Sequence, residues 1–588
     1  MKYLRKTRIV ATIGPACDDL AIQKELLKAG VNVARFNFSH GNHEEQAKRI
    51  ASMRRASEET SVPVALMMDT KGPEIRTGNV KGEAELALHS GFEIVLTSRH
   101  VEGTREELSV SYQNLPSEVE AGDHIFIADG VIDLEVLAVS GPDIRCLIRN
   151  GGMLGSKKNV NVPGVKVGLP AITEKDREDI RFAVEHQMDY IAASFIRRPE
   201  DVEEIREILK QYHSSIRIIA KIENQEGLDN IDDIIRISDG VMVARGDLGV
   251  QLSTEQIPLA QKRIIGKCMR QGKPVITATQ MLDSMIHNPS PTRAELTDVA
   301  NAIFDGTDAV MLSGETAGGA FPVRSVETMG RIAEAVETSE EYRRRCTQWF
   351  ETVQRPKDIG HTIARAAYVV ASDIDASAIV APTLRGNTPR ILSNYRPNQL
   401  IIAVTTSEES YRQLLLHWGI FPILSAPVKD SDMMIQNALR LAREHGYVAP
   451  PDRVVTTAGI PLNSPQPLNT IKIHFLGTIL NRGHAGMGDR CSGALVKAEN
   501  FELAQHRLRW DGTEILLTGS IGKELFPRLS SLRGIVIEGE LSLSPEEVRK
   551  IASKIVIIAD VPNAMDNFED GQLVTLDGKE KIIYEGFM

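Results

Sequence analysis

RIIAKIEN (217–224), followed by GVMVARG (240–246), is the stretch that decides the fold of this chain. Each is a short, nearly uninterrupted apolar run that stops at charged residues. Runs of that kind fit strands buried on both faces of a parallel sheet. Six more precede residue 320: TRIVATIG (7–14), VNVARFNF (31–38), VALMMDT (64–70), DYIAASFI (189–196), KPVITATQ (273–280) and AVMLSGET (309–316). Amphipathic stretches such as DDLAIQKELLKAG, PEDVEEIREILKQY and SVETMGRIAEAVE lie between most of them. Strand and helix alternate, and right-handed crossovers then predict a (β/α)8 TIM barrel. In such a barrel the strand ends converge on one rim, where catalytic residues collect.

One interval breaks the alternation. Residues 71–167 read as all-β, with short alternating runs such as HIFIADGVIDLEVLAV and turn signals at ADG (128–130) and RNGG (149–152). The reading is a small β-barrel inserted in a loop at the catalytic rim, placed to act as a lid. After the barrel a second α/β pattern carries strand candidates AIVAPT, LIIAVTT, PILSAP, RVVTTAGI and TIKIHF. A last segment opens with the Gly-rich NRGHAGMGDRCSG and carries EILLTG, GIVIEG and KIVIIAD. The expected domains are therefore 1–70 with 168–345 (barrel), 71–167 (lid), 346–475 (α/β) and 476–588 (a further α/β domain).

Composition narrows the function. At 588 residues the chain is too long for one core. A net charge of −11 offers no basic face for nucleic acid, so an anionic substrate needs a local cluster of cations. The cysteines, Cys17, Cys146, Cys268, Cys346 and Cys491, are scattered without a CxxC pair. That argues against a disulfide framework or structural zinc and for a reducing compartment. No run approaches the length of a membrane span, and MKYLRKTRIVATIG lacks a long apolar core. The expected location is cytoplasmic, with no membrane partner.

Residues two apart on a strand face the same way, which aligns Arg35, Asn37 and Ser39, and likewise Lys221 and Glu223. Glu223 and Asp247 offer oxygen ligands for a hard divalent ion, usually held by one or two carboxylates plus substrate oxygens. Lys221 beside them is a fixed cation for charge that develops on a phosphoryl or enolate oxygen. Gly246 allows close approach of a ligand to the backbone, and Thr279 can offer a hydroxyl to the same anion. Asp69 and Thr70, with Asn37 and Ser39, form an oxygen-rich set suited to a weakly held cation. Plain readings compete: an ion pair at the rim for Lys221–Glu223, a helix N-cap for Asp247, a β-branched strand residue for Thr279, turn polarity for Asp69 and Thr70. Four ionisable ends on neighbouring strands are harder to explain by packing.

At these residues the chain resembles the pyruvate kinase family. KTRIVATIGPA, VARFNFSHG, DTKGPEIRTG, SKKNVNVPG, AKIENQEG, MVARGDLG, ATQMLDSM, PTRAE and AVMLSGETA look like its signatures, in the family's order. The resemblance implies phosphoryl transfer from phosphoenolpyruvate to ADP, giving pyruvate and ATP. It implies that Arg35 binds substrate phosphate, that Asn37, Ser39, Asp69 and Thr70 hold K+, and that Glu223 and Asp247 hold Mg2+ (or Mn2+). Lys221 would stabilise the transferring group, while Gly246, Asp247 and Thr279 contact the substrate carboxylate region. Asn37, His40, Arg76 and Lys158 would reach the nucleotide. Glu74, an acidic residue after Gly-Pro in the lid hinge, goes with K+ dependence in this family. A proton donor to the product enolate is needed, and Thr279 or a water near it is a candidate.

PTLRGNTPRILSNYRP (382–397) resembles the family's effector loop, with Thr388 as N-cap, Pro389 at the first helical position, and Thr383, Arg385 and Asn387 completing a phosphate pocket. It departs from the Ser-Gly-Arg-Ser form, and TTAGIPLNSPQPLNT (456–470) lacks a basic cluster for a second phosphate. A monophosphorylated activator is the expectation. The last segment resembles the swivelling domain of phosphoenolpyruvate-utilising enzymes, but GIVIEGELSLSPEEVRK (534–550) has no histidine, so a structural or assembly role is expected. The family also implies a homotetramer. Two rivals remain open: a metal-dependent aldolase or lyase on the same barrel, and a non-catalytic regulator.

Overall fold

The eight apolar runs become eight parallel strands: β1 (Arg8–Thr12), β2 (Val33–Asn37), β3 (Ala65–Asp69), β4 (Tyr190–Ala193), β5 (Arg217–Ile222), β6 (Gly240–Ala244), β7 (Val275–Ala278) and β8 (Ala309–Leu312). They close into a barrel in chain order, β1 pairing with both β2 and β8. The computed structural model describes residues 4–82, 85–353, 356, 358–428, 430–450, 452–460, 468–540 and 555–586. The strands are apolar on both faces because both are covered. Ile9 and Ala11 pack outward against the helices, whereas Val10, Val33, Met67, Tyr190, Ile219, Met242, Ile276 and Met311 fill the lumen. Leu415 and Leu416 join that inner cluster.

Polar residues flank the apolar runs at both strand ends. Past the starts, Asp189 pairs with Arg412 at 2.9 Å, Asp308 with Arg396 at 3.1 Å, and Arg217 Nε donates to Gln413 Oε1 at 3.2 Å. The start of the barrel is thus fixed to residues 396–413 by buried and half-buried polar contacts. The other ends form the rim that carries the candidate site.

The segment after β3 is mostly β, with one short helix at Leu115–Glu118 that the expected all-β reading did not include. Seven strands run in the order Ile75–Arg76, Asn159–Asn161, His124–Ile127, Ile132–Ser140, Asp143–Asn150, Glu93–Thr97 and Glu107–Ser109. The edges meet in an antiparallel bridge between Thr77 and Val110, which brings the sheet round on itself. Leu96, Ile125, Leu134 and Ile144 are among its own fully buried core. Ala128, Asp129 and Gly130 all take positive φ and make the tight turn between two strands.

By contacts the chain forms two units: Met1–Tyr368 with Ala381–Met434 and Thr457–Thr470, and Val369–Val380 with Ile435–Thr456 and Ile471–Met588. In the first, Leu400–Thr405 and Ile420–Leu424 pair in parallel. In the second, Ala378–Val380 pairs in parallel with Val454–Thr456. The second unit also holds an eight-stranded sheet, whose parallel centre is Arg490–Lys497, Glu514–Thr518, Gly534–Ile537 and Val556–Ala559. Within it Asp577 accepts from Arg490 Nε at 2.7 Å and Arg453 Nη2 at 3.1 Å. Residues 461–467 of the expected second effector segment and 541–550 of the swivelling-type motif lie outside the described residues. All five cysteines are buried and free, and among the described residues no helix is long and apolar enough to cross a membrane.

Candidate active site

The ends of β1, β2, β3 and β5 and the loops after β3, β4 and β5 supply the centre. Arg35, near the end of β2, donates from Nε to Asp69 Oδ2 at 2.6 Å and from Nη1 to Thr12 Oγ1 at 2.8 Å. Lys221, near the end of β5, lies 3.0 Å from Asp69 Oδ1, 2.8 Å from Glu223 Oε1 and 2.7 Å from Ser194 Oγ. Glu223 Oε2 accepts from the Phe195 amide at 2.6 Å. Ser194 donates to the Thr70 carbonyl at 2.7 Å, and Thr70 Oγ1 accepts from the Ser194 amide at 3.0 Å. Asp69 and Glu223 are each 1% exposed, so none of this is a solvated surface network.

The rim is packed closely enough to require glycine. Gly72 sits at φ +69, and a Cβ there would meet Phe195 Cδ2 at 2.8 Å and Ser194 Cβ at 2.9 Å. Its amide is held by Asp176 Oδ1 at 3.1 Å. Asp176 also closes a capping box with Thr173 at the start of helix α2 (Glu174–Glu185), α1 being His43–Thr60. A helix cap thereby fixes the loop after Asp69 and Thr70.

Burial and neighbours divide the charges. Burial raises the Asp69 carboxyl, but Arg35 and Lys221 outweigh it and hold Asp69 below the usual carboxylate range. Burial works against the Lys221 ammonium, and Asp69 and Glu223 together outweigh that too, so Lys221 stays charged. Burial pushes Glu223 up to about 7, with Asp247 adding to the shift and Lys221 opposing it. Asp247 is raised by burial as well, with Lys221 opposing and Asp69, Asp129 and Glu74 adding repulsion. Three carboxylates thus share two cations in a dry rim. The deficit fits a bound divalent cation, with Glu223 and Asp247 as its protein oxygens. The described residues hold no group of three or more His, Cys, Asp or Glu able to cage a metal alone.

Asp247 and Gly246 lie on α3 (Arg245–Gln251), whose N-cap is Ala244. Asp247 is therefore not the cap. The Gly246 amide donates to Thr279 Oγ1 at 2.9 Å, so the structure does bring Thr279 to this helix. Thr279 and Gln280 follow β7 at φ +66 and +53, conformations a β-branched residue rarely adopts. Arg245 holds the turn by donating to the carbonyls of Ala278 (3.1 Å) and Thr279 (2.7 Å) and pairing with Asp298 at 2.7 Å. Backbone conformations of this kind cluster at active sites and ligand clamps.

The remaining positions lie around this centre. Asn37 Oδ1 accepts from the Ser39 amide at 3.0 Å in the loop after β2, where His40 is exposed. In the inserted sheet Arg76 pairs with Glu74 at 2.7 Å and donates to the Lys157 carbonyl at 2.8 Å. Lys158 is exposed, its amide bound to Thr77 Oγ1 at 2.9 Å. The inserted sheet approaches the rim: Gln251 donates to Asn161 Oδ1 at 3.3 Å, and a Cβ on Gly130 would lie 3.9 Å from Val250. A cleft of about 170 Å³ opens between them, lined by Glu74, Asn159, Phe195, Arg197 and Asp247 among others.

Sequence reasoning missed Thr12, Ser194, the Phe195 amide and Asp129. Thr12 and Ser194 follow the same rule that found Lys221, a polar group where an apolar run stops, and could have been read by it. The amide leaves no trace in side-chain chemistry. One expectation on the effector loop is corrected. Helix α4 spans Asn387–Ser393 with Gly386 as N-cap at φ +75, so Thr388 and Pro389 are its second and third residues. The turn starts earlier because Thr383 Oγ1 accepts from the Gly386 amide at 3.0 Å. The carbonyl of Arg385 is taken by Arg390 Nη1 at 3.1 Å.

Comparison with known proteins gives matches along the whole chain. Residues 4–326 match the family model for the pyruvate kinase barrel domain, and residues 361–474 the model for the pyruvate kinase alpha/beta domain. Pyruvate kinases of Staphylococcus aureus strains MRSA252 and USA300 are each 43% identical over 589 residues, covering 99% of this chain and 99% of theirs. The crystal structure of a pyruvate kinase from Cryptosporidium parvum superposes with a TM-score of 0.76 at 42% identity, covering 80% of this chain and 96% of that one.

Proposed function

We propose, on the premise that this chain belongs to the pyruvate kinase family, that it moves the phosphoryl group of phosphoenolpyruvate to ADP with the help of Mg2+ (or Mn2+) and K+. The observation that carries this reading is the buried set of Arg35, Asp69, Lys221 and Glu223 at one rim, with Asp247 close enough to shift Glu223. Phosphoryl transfer is mostly positioning and charge neutralisation, with little covalent work for the protein. Two fixed cations beside carboxylates that can take a metal ion are what that chemistry asks for.

Arg35 and Lys221 would face the phosphoryl oxygens, both held in place by Asp69. Glu223 and Asp247 would hold the divalent ion, and Asn37, Ser39, Asp69 and Thr70 would hold K+. The ions supply charge neutralisation between two polyanions. Gly246, Asp247 and Thr279 would orient the substrate carboxylate region, and the Thr279 hydroxyl, which accepts from the Gly246 amide, or a water near it would pass a proton to the enolate. Asn37, His40, Arg76 and Lys158 would meet the nucleotide, the last two from the inserted sheet. Closure of that sheet would exclude water, which otherwise competes with ADP.

The domain limits 1–70 with 168–345, 71–167, 346–475 and 476–588 belong to the same proposal. So do homotetrameric assembly and activation by a phosphorylated small molecule at Thr383, Arg385, Asn387 and Thr388. ADP-dependent release of pyruvate from phosphoenolpyruvate tests the reaction, measured with and without Mg2+ and with choline in place of K+. No ADP-dependent pyruvate with both ions present overturns the reading.

A further inference from the structure

The loop that carries Asn37, Ser39 and His40 is held by side chains outside the proposed site. We propose that Gln46 is the positioning residue of the monovalent-cation site, tuning K+ affinity through the shape of this loop without touching ion or substrate. The inference rests on the K+ reading above and names a residue for it.

Gln46 lies in the first turn of α1 and is 2% exposed. Its Nε2 donates to the Asn37 carbonyl at 3.0 Å and to the His40 carbonyl at 3.0 Å, so one amide ties together the two sides of Ser39. Both partners are acceptors, which fixes the amide with its donor end toward the loop. Its Oε1 is buried without a partner among the described residues. An apolar side chain of similar size would avoid the cost of that oxygen. The two bonds to the loop are what the amide adds.

The carbonyl between them is held separately. Lys175 Nζ donates to the Phe38 carbonyl at 2.9 Å and to Asp179 Oδ2 at 2.6 Å, and Asp179 Oδ1 is shared with His43 Nε2 at 2.6 Å. Three carbonyls of the loop, those of residues 37, 38 and 40, are therefore held by Gln46 and Lys175. The ion would then meet the Ser39 hydroxyl and Asn37 Oδ1, the latter also accepting from the Ser39 amide at 3.0 Å. A large, weakly held cation depends on oxygen placement, and groups that orient the ligands weaken metal binding on the order of 10-fold or more when removed.

The test is the thermal unfolding midpoint of the full chain, titrated with KCl at constant ionic strength in choline chloride, with Mg2+ and phosphoenolpyruvate but no ADP. Gln46→Met keeps the length and removes the donor. The expected result is a K+ midpoint raised on the order of 10-fold, with the Mg2+ titration and the K+-free unfolding midpoint as in the wild type. A Gln46→Met protein that titrates like the wild type overturns the proposal, and so does an equal loss of K+ and Mg2+ responses, which marks a merely structural role. If Gln46→Met does not fold, Gln46→Leu, which also removes the donor, is read by the same criteria. A wild type with no response to K+ refutes the K+ reading itself, and this inference with it.

Discussion

At the scale of single residues, Lys221 carries the most. Its ammonium serves Asp69 and Glu223 at once, in a rim where both acids are buried. Lys221→Met should lower kcat on the order of 10²-fold or more, because a preorganised cation at developing charge is usually worth that much. Steady-state turnover with circular dichroism as a check on folding measures it, and near-normal turnover removes Lys221 from the mechanism. Most of this centre could be read from the chain. Arg35, Lys221, Glu223 and Asp247 stand where apolar strands end, and strand geometry sends them to one rim. Which acid each cation meets could not be read. Arg35 and Lys221 both converge on Asp69 across strand registers that only the closed barrel sets.

At the scale of elements, the starts of the strands are as informative as their ends. Arg396 and Asp308 are both buried, and their pair links the start of β8 to residue 396. Removing one partner of a buried pair leaves an uncompensated charge. Asp308→Ala should therefore cost about 3–5 kcal/mol in denaturant unfolding. An unchanged midpoint and slope would show that the pair holds nothing. His417 lies beside the same elements. It is buried, and with Arg390, Arg217, Arg8 and Arg396 around it the imidazole is pushed well below its usual value, burial being the larger cause. Its Nε2 accepts from Arg390 Nε at 3.2 Å. In the unfolded chain this histidine takes a proton below about pH 6.5. In the folded chain it does not, so stability falls as pH drops from there, by up to about 1.4 kcal/mol per unit. Asp189, pushed up to about 6 chiefly by burial against the pull of Arg412, titrates with the opposite sign. The comparison is therefore between wild type and His417→Gln from pH 7 to 5.5. The variant should show the flatter acid limb, and parallel limbs would refute the assignment. These contacts were not legible. Asp189, Arg217 and Asp308 look like ordinary run boundaries, and their partners lie far along the chain.

At the scale of the whole molecule, the first unit places a sheet with its own core over a barrel rim. Arg197, 8% exposed, donates to the carbonyls of Val167 and Leu169 at 2.7 and 2.6 Å. It clamps the segment that returns from the inserted sheet to the barrel. Arg197→Met should speed amide exchange across residues 163–169 while strands β1–β8 keep their protection, since loss of a clamp opens only the local unit. Exchange rising equally in the barrel, or nowhere, would contradict this. The inserted sheet was legible as a change of period, from buried continuous runs to short alternating ones. Its contacts to the rim, Gln251 with Asn161 and Gly130 near Val250, were not, because each joins the end of helix α3 to a segment about 90–120 residues away whose approach only the tertiary packing sets.

What the sequence determined by itself was the set of elements and the chemistry at their ends. Strand length, apolar period and the polar residue that stops each run are local properties, so the barrel and its cation-and-carboxylate rim follow from reading along the chain. The tertiary structure decided who meets whom. It gave Lys221 two acids instead of one, brought Ser194 and a backbone amide of residue 195 into the centre, and set Thr279 in a strained turn against Gly246. It also moved the start of helix α4 to Asn387. Each of these depends on barrel closure and side-chain packing between segments distant in sequence. Burial then fixes their charges, because the same group titrates differently in water and in a dry rim.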